Sequence, residues 1–249
     1  MGQVAVHVSR PLAVVMAPIL VPQGARVRRR TPVLPEADGD RSGVEGVGRE
    51  DALAVLVLGE STAAGVGVRT QAEGLGPAVA AGLARHSGRP VSWQVTARTG
   101  YTAHRALTRL VPQLQDTSFD VVVVALGVND VLRMRSARAW QDDVTALITG
   151  LRGHLRPGGG IVLAGLPDLA GFPSLPQPMR TVLALHARSL DRRLVRVAAN
   201  APLTVHVGAP PIDARGLYAE DGFHPGAEGY RRWATHLVDA ARVLLGTRA

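Results

Sequence analysis

The sequence predicts an α/β chain, a three-layer α/β/α sandwich built on a five-stranded parallel sheet. Three observations carry that prediction. Residues 53–58 (Leu-Ala-Val-Leu-Val-Leu) and 119–126 (Phe-Asp-Val-Val-Val-Val-Ala-Leu) are continuous apolar runs of strand length, the pattern of strands buried on both faces. Segments of helical periodicity separate such runs, and regular alternation of strand and helix implies parallel strands joined by right-handed crossovers. The third is composition: 249 residues, 46% hydrophobic and 19% charged, suit one sizeable α/β domain with an extension.

Residues 11–22 form the first apolar stretch. It is shorter than the ~20 residues a spanning helix needs, and Pro11, Pro18 and Pro22 interrupt it. Only Arg10 precedes it while Arg26, Arg28, Arg29 and Arg30 follow, the reverse of a signal peptide's charge order. No transmembrane segment is expected. The stretch reads as a packing or membrane-peripheral segment, and a cytoplasmic location is favoured over secretion. Residues 31–51, rich in Pro, Gly and acids, read as a loop. Residues 1–51 are therefore taken as an N-terminal extension and 52–249 as the domain.

The domain opens with the strand at 53–58. A small-residue helix follows over 75–86, then a strand at 91–97 and a helix at 102–115. The strand at 119–126 is the clearest, because consecutive valines suit a pleated, buried surface. A helix over 137–155 leads through Pro157-Gly158-Gly159-Gly160 to a strand at 161–166. An amphipathic helix at 178–199, a short strand at 203–207 and a last helix at 226–245 complete the alternation.

Composition also excludes function classes. The formal charge is +8, yet all 28 basic residues are arginines, since the chain has no lysine, and they are scattered. A nucleic-acid groove would need them clustered beside aromatic platforms, so no nucleic-acid partner is expected. With no cysteine there is neither disulfide nor thiolate chemistry. His7, His86, His104, His154, His186, His206 and His236 lack a partner pattern and read as surface or packing residues; no metal and no cofactor are expected. Trp93, Trp140 and Trp233 read as packing residues too. Gly59, Gly65 and Gly67 do not fit a dinucleotide fingerprint, and a P-loop is impossible without lysine. Ala63 stands where G-x-S-x-G would need glycine.

Chemistry in open α/β sheets gathers beyond the carboxyl ends of strands. Four places fall there or in loops: Ser61; Gly100, in Arg98-Thr99-Gly100; Gly127-Val128-Asn129-Asp130; and Asp221-Gly222-Phe223-His224-Pro225. Together they suffice for ester hydrolysis. Ser61 is the candidate nucleophile and His224 the base that takes its proton. Asp221, three residues before His224, can hold the imidazole's tautomer and stabilise the imidazolium. The amides of Ser61 and Gly100 and the side-chain NH2 of Asn129 are candidate oxyanion donors. Asp168 and Asp213 are rival partners for His224, ranked below Asp221. Each residue also has a plainer reading: a serine after a strand often caps a helix, Asn129 and Asp130 could close an Asx turn, and Asp221 could complement a helix N-terminus. Residues 167–178 are a candidate pocket wall, with Phe172 as a substrate-binding candidate.

These blocks, Gly-Glu-Ser-Thr, Gly100, Gly-Val-Asn-Asp and Asp-Gly-Phe-His-Pro in that order, resemble those of the SGNH (GDSL-like) hydrolases over roughly residues 53–235. The resemblance implies a flavodoxin-like sheet and a small-molecule ester substrate. It also implies Ser61, His224 and Asp221 as triad, Ser61, Gly100 and Asn129 as oxyanion hole, and no metal. The family's usual Gly-Asp-Ser is Gly-Glu-Ser here, so the carboxylate of Glu60 is one methylene longer. Short-chain or acetyl esters are the expected substrates. Two alternatives stand beside hydrolysis: a non-catalytic binding module of the same fold, and acyl transfer by the same residues.

Overall fold

The first predicted strand lies in the interior of the sheet. The computed structural model describes residues 9–48, 50–115, 118–210 and 216–246. Its strands are Ser42–Glu45 (β1), Leu53–Gly59 (β2), Val91–Ala97 (β3), Phe119–Ala125 (β4), Leu155–Ala164 (β5) and Thr204–Val207 (β6), in the sheet order β1-β3-β2-β4-β5-β6. The five strands from β2 to β6 are parallel. Taken alone, their order is the flavodoxin-like doubly wound one, in which the topological switch falls between the first and third strands. Here that pair is β2 and β4, whose carboxyl ends lead to Ser61 and Asn129.

Every residue of β2 and β4 is buried, because helices cover both faces of the sheet. The helices are Ser9–Val15 (α1), Ala17–Arg30 (α2), Leu75–Ser87 (α3), Ala103–Arg109 (α4), Val128–Leu132 (α5), Ala137–Arg152 (α6), Met179–Ala199 (α7) and Ala227–Gly246 (α8). Alternate side chains point to opposite faces. Val55, Val57, Val121 and Val123 join Leu83 of α3 and Leu237 of α8 in one core layer. Leu56, Leu58, Val122 and Val124 join Trp140 of α6 and Leu190 of α7 in the other. Each fully buried valine or leucine contributes on the order of 1.5–3 kcal/mol, and this double layer makes the strand ends a rigid platform.

The sheet differs from the prediction at one edge. It has six strands, because β1 pairs antiparallel with β3, Gly43 opposite Trp93, inside the segment read as loop. Four residues of Ser-Gly-Val-Glu are too short and polar to carry a strand signal; the exposed edge of β3 creates the strand. The predicted helix at 102–115 stops at Arg109 and gives way to a 3-10 turn at Val111–Gln113, since Pro112 cannot sit in a helix interior. β5 starts six residues early: its pairing with β4 passes from Phe119–Leu155 to Val121–Gly160 across an irregularity that absorbs residues 156–159.

Residues 9–30, read as a packing or peripheral segment, are two helices against α7. Pro18 falls in the first turn of α2, where no amide donor is missed, and Pro22 is tolerated inside it. Ser9 Oγ lies 3.1 Å from His186 Nδ1, both residues buried. Gln23 Nε2 donates to Gln177 O (2.7 Å) and Gln23 Oε1 accepts from Met179 N (3.2 Å), fixing α2 to the start of α7. Among the described residues, no helix is long and apolar enough to cross a membrane.

Candidate active site

Ser61 leaves β2 in a tight turn, closed where Ala64 N donates to Glu60 O (2.9 Å) and Val66 N to Ser61 O (3.0 Å). His224 arrives on a short loop ahead of α8. Gly226 N donates to Leu217 O and Ala219 N to His224 O, both at 2.8 Å, which closes the loop at two points. Inside it, Asp221 Oδ1 accepts the amides of Phe223 and His224, each at 2.9 Å. Asp221 Oδ2 lies 2.5 Å from His224 Nδ1, and His224 Nε2 lies 2.9 Å from Ser61 Oγ. An ionised carboxylate only accepts, so Nδ1 carries the ring proton and Nε2 is left to accept the serine hydroxyl. Burial works to raise the Asp221 pKa. Hydrogen bonds from the His224 ring and from the two amides outweigh it and hold the carboxyl below its ordinary value.

The loops that carry Ser61 and His224 are in direct contact. Gly67 has φ +105°, and a Cβ there would stand 2.3 Å from Pro225 O, so only glycine lets the two backbones meet. Tyr230 of α8 donates its hydroxyl to Val66 O at 2.6 Å. Backbone packing thus holds the Ser61 and His224 loops against each other.

Glu60 is buried beside Ser61, the candidate nucleophile. One carboxylate oxygen accepts from Gly127 N (2.9 Å) and Val128 N (2.8 Å), the other from Asn129 N (3.2 Å) and the Asn129 side-chain amide. Burial pushes its pKa up to about 7, helped by nearby Asp130 and opposed by the donors on it. The extra methylene therefore does not strand the carboxylate: it reaches the amino-terminal turn of α5, where a negative group is favoured by the free N–H groups. An amide NH2 has two protons; with one given to Glu60, Asn129 keeps a second for another acceptor.

Asp130 carries the next tie. It is fully buried and accepts Ala103 N at 3.0 Å through Oδ2, joining α5 to the start of α4. Burial raises its pKa to about 6, against the Ala103 bond. Ala103 lies three residues after Gly100, so this bond holds the Gly100 loop to the helix of Asn129. A second brace comes from the extension: Glu36 accepts Thr99 N at 2.7 Å and pairs with Arg41, which also donates to Ala97 O. Gly100 has φ +81°, and a Cβ there would meet nothing within 4 Å. The backbone conformation demands glycine at 100, whereas the surrounding protein leaves room for a side chain.

Ser61, His224 and Phe172 line one apolar cleft, together with Leu126, Leu166, Pro210, Phe223 and Trp233. Gly100 and Asn129 stand outside that lining, at the neighbouring strand ends: Gly59 pairs with Ala97 on one side and with Ala125 on the other. Phe172 is buried and meets Phe223 and Tyr218 edge-on, at centroid distances of 5.1 and 5.5 Å. It is both cleft wall and prop for the His224 loop.

Several residues escape the sequence reading. Trp233 packs against the core, as read, and also lines the cleft, where helical periodicity in α8 gives no sign that one turn reaches. His206, read as partnerless, has its Nε2 2.9 Å from Asp191 Oδ1, which also accepts Leu166 N and so anchors the cleft wall. His104 pairs with Asp143 at 3.3 Å. In both pairs the partner is far off in sequence or on another helix. Asp168, a rival for His224, is instead engaged by Arg188 at 2.8 Å and caps a 3-10 turn through Ala170 N. Asp213 and His7 lie outside the described residues.

Fold and site together define an α/β chain with serine, histidine and aspartate in hydrogen-bonded series at the carboxyl edge of a doubly wound sheet. The chain belongs to the GDSL-like lipase/acylhydrolase family, whose model matches residues 57–232. It is similar to the GDSL-like esterase Rv1075c of Mycobacterium tuberculosis, 29% identical over 205 residues that cover 76% of this chain and 61% of that protein. The chain thus spans less than two thirds of that relative's length. Among solved structures it resembles TesA, with 22% identity, a TM-score of 0.57, and 78% of this chain and 98% of that one covered. It also resembles the psychrotrophic esterase EstA from Pseudoalteromonas sp., solved inhibited by monoethylphosphonate, with 18% identity, a TM-score of 0.60 and the same coverages. At these identities the structural likeness is one of fold.

Proposed function

We propose that this protein is a serine hydrolase of carboxylic esters, acting through an acyl-enzyme, with residues 52–249 as the hydrolase domain. The observation that carries the reading is the unbroken chain Asp221 Oδ2 – His224 Nδ1, His224 Nε2 – Ser61 Oγ, at 2.5 and 2.9 Å. In this reading Ser61 Oγ attacks the ester carbonyl while His224 Nε2 takes its proton. Asp221 stabilises the resulting imidazolium and keeps its ring oriented. The carbonyl oxygen, now an oxyanion, is met by the amides of Ser61 and Gly100 and by the free proton of the Asn129 side chain. Collapse expels the alkoxide, which takes the proton from His224, and leaves Ser61 acylated. Water then gives a proton to His224 and its oxygen to the acyl carbon, releasing the acid and restoring the serine.

The narrow apolar cleft beside Ser61 supports a short acyl group as the preferred substrate, with Phe172, Leu166 and Trp233 against it. Membership of the lipase/acylhydrolase family supports ester cleavage as the reaction. Hydrolysis of p-nitrophenyl esters from acetate to palmitate, by wild type and Ser61→Ala, tests the assignment. Wild type should turn over the shorter esters and be labelled by a fluorophosphonate, and Ser61→Ala should do neither while keeping its fold. Undiminished turnover by Ser61→Ala would refute the mechanism. A folded wild type that neither turns over nor labels would make the protein a binding module.

A further inference from the structure

Residues 9–30 depart from the pattern of a surface helix pair. Up to Pro22, α1 and α2 are almost entirely apolar, and Leu12, Ala13, Met16, Ala17 and Leu20 are half-buried. Yet the outward face is apolar too: Val14, Val15, Ile19 and Val21 are 75, 78, 51 and 69% exposed. A helix that is apolar on every side has an apolar environment on every side, in a protein core or in lipid. Charge identifies which. The segment contains Arg10, Arg26, Arg28, Arg29 and Arg30, and the chain has no acidic residue before Glu36. Arg28, Arg29 and Arg30 form the end of α2. Beside it, Arg26, Arg30 and Arg180 share a shallow groove with the acids Glu220 and Asp221 on the flank of the His224 loop, which leaves Arg28 and Arg29 as the cations outside that groove.

We propose that the outer face of α1 and α2 docks on an anionic bilayer surface. Val14, Val15, Ile19 and Val21 enter the boundary between headgroups and acyl chains, and the arginines at the end of α2 engage lipid phosphates. The segment lies on the membrane and does not cross it. A second copy of the chain is a poor occupant of the same face, because a two-fold contact would set two acid-free, arginine-rich helices against each other.

Vesicle flotation of the full chain tests this, with phosphatidylcholine vesicles and with vesicles that also contain phosphatidylglycerol, at low and high salt. Two variants at exposed positions complete it, Val14→Glu/Ile19→Glu and Arg28→Ala/Arg29→Ala. Wild type should float with the phosphatidylglycerol vesicles and much less with the neutral ones. The arginine variant should partition roughly thirtyfold less, the effect of losing two surface cations, and high salt should weaken binding in the same direction. The glutamate variant should remain in the soluble fraction. Both variants should hydrolyse a soluble p-nitrophenyl ester as wild type does, which separates loss of docking from loss of fold. Absence of flotation would overturn the proposal, as would equal flotation on neutral vesicles or flotation unchanged in both variants. A dimer in light scattering that Val14→Glu/Ile19→Glu dissociates would assign the face to a second copy instead.

Discussion

The carboxylate of Glu60 accepts both the backbone amide and the side-chain amide of Asn129, so the residue next to the proposed nucleophile aims the proposed oxyanion donor. Asn129→Ala should lower kcat by ~10²–10³, the usual effect of losing one such donor, with KM little changed. Glu60→Ala should lower kcat in the same direction, by freeing Asn129 and leaving the first-turn amides of α5 without their acceptor. Steady-state kinetics on p-nitrophenyl acetate check both. Wild-type kcat in Asn129→Ala would remove Asn129 from the oxyanion hole.

The same carboxylate makes stability depend on pH. Burial raises Glu60 from an ordinary 4.5 to about 7, and Asp130 from 3.8 to about 6. As pH rises through 4 to 7 the unfolded chain loses these protons before the folded chain does. The unfolded state then binds fewer protons, so stability falls over that window. For Glu60 the loss is on the order of 3 kcal/mol, complete above about pH 7. Urea midpoints at pH 5, 6, 7 and 8 should decline more steeply in wild type than in Glu60→Gln, which has no proton to lose. Parallel slopes would mean that Glu60 ionises at an ordinary pH.

Asp221→Asn separates shape from proton placement. The asparagine Oδ1 can still accept the amides of Phe223 and His224 and so preserve the loop. Its NH2, however, faces His224 Nδ1 and favours the tautomer in which Nε2 carries the proton and cannot act as base. A fall in kcat of about 10⁴ is expected, as for the equivalent change in other Ser–His–Asp sites. Circular dichroism should stay as in wild type, and a loss of less than tenfold would show that Asp221 only shapes the loop.

Phe172→Ala removes a buried ring that touches Phe223 and Tyr218. The expected destabilisation is about 3–5 kcal/mol. The widened cleft should also move the optimum towards longer acyl chains, read as the ratio of octanoate to acetate turnover. A destabilised variant with the wild-type chain-length profile would make Phe172 a prop alone.

The central strands and the site blocks were legible because their signals are local. The valine run of β4 and the apolar run of β2 declare burial on two faces wherever they occur, and Asp221 and His224 sit three residues apart at a turn. What was not legible depends on partners distant in sequence. β1 exists because β3 presents an edge to it. His206 finds Asp191 only when β6 lies beside α7. Glu60 read as a departure from Gly-Asp-Ser, but its reach to α5 depends on how β4 ends. Trp233 follows an ordinary amphipathic pattern, and only the angle of α8 brings it to the cleft.

Ser61 and His224 are 163 residues apart in the chain, on the first parallel strand's exit and the last helix's entry. A polypeptide emerging from the ribosome therefore cannot assemble the proposed site until His224 has been made and β2 and α8 have met. Such long-range closure is slow compared with helix formation. Under the proposed chemistry turnover is then a reporter of the meeting of β2 and α8, and refolding followed by ester hydrolysis would register that long-range closure where circular dichroism registers helix formation.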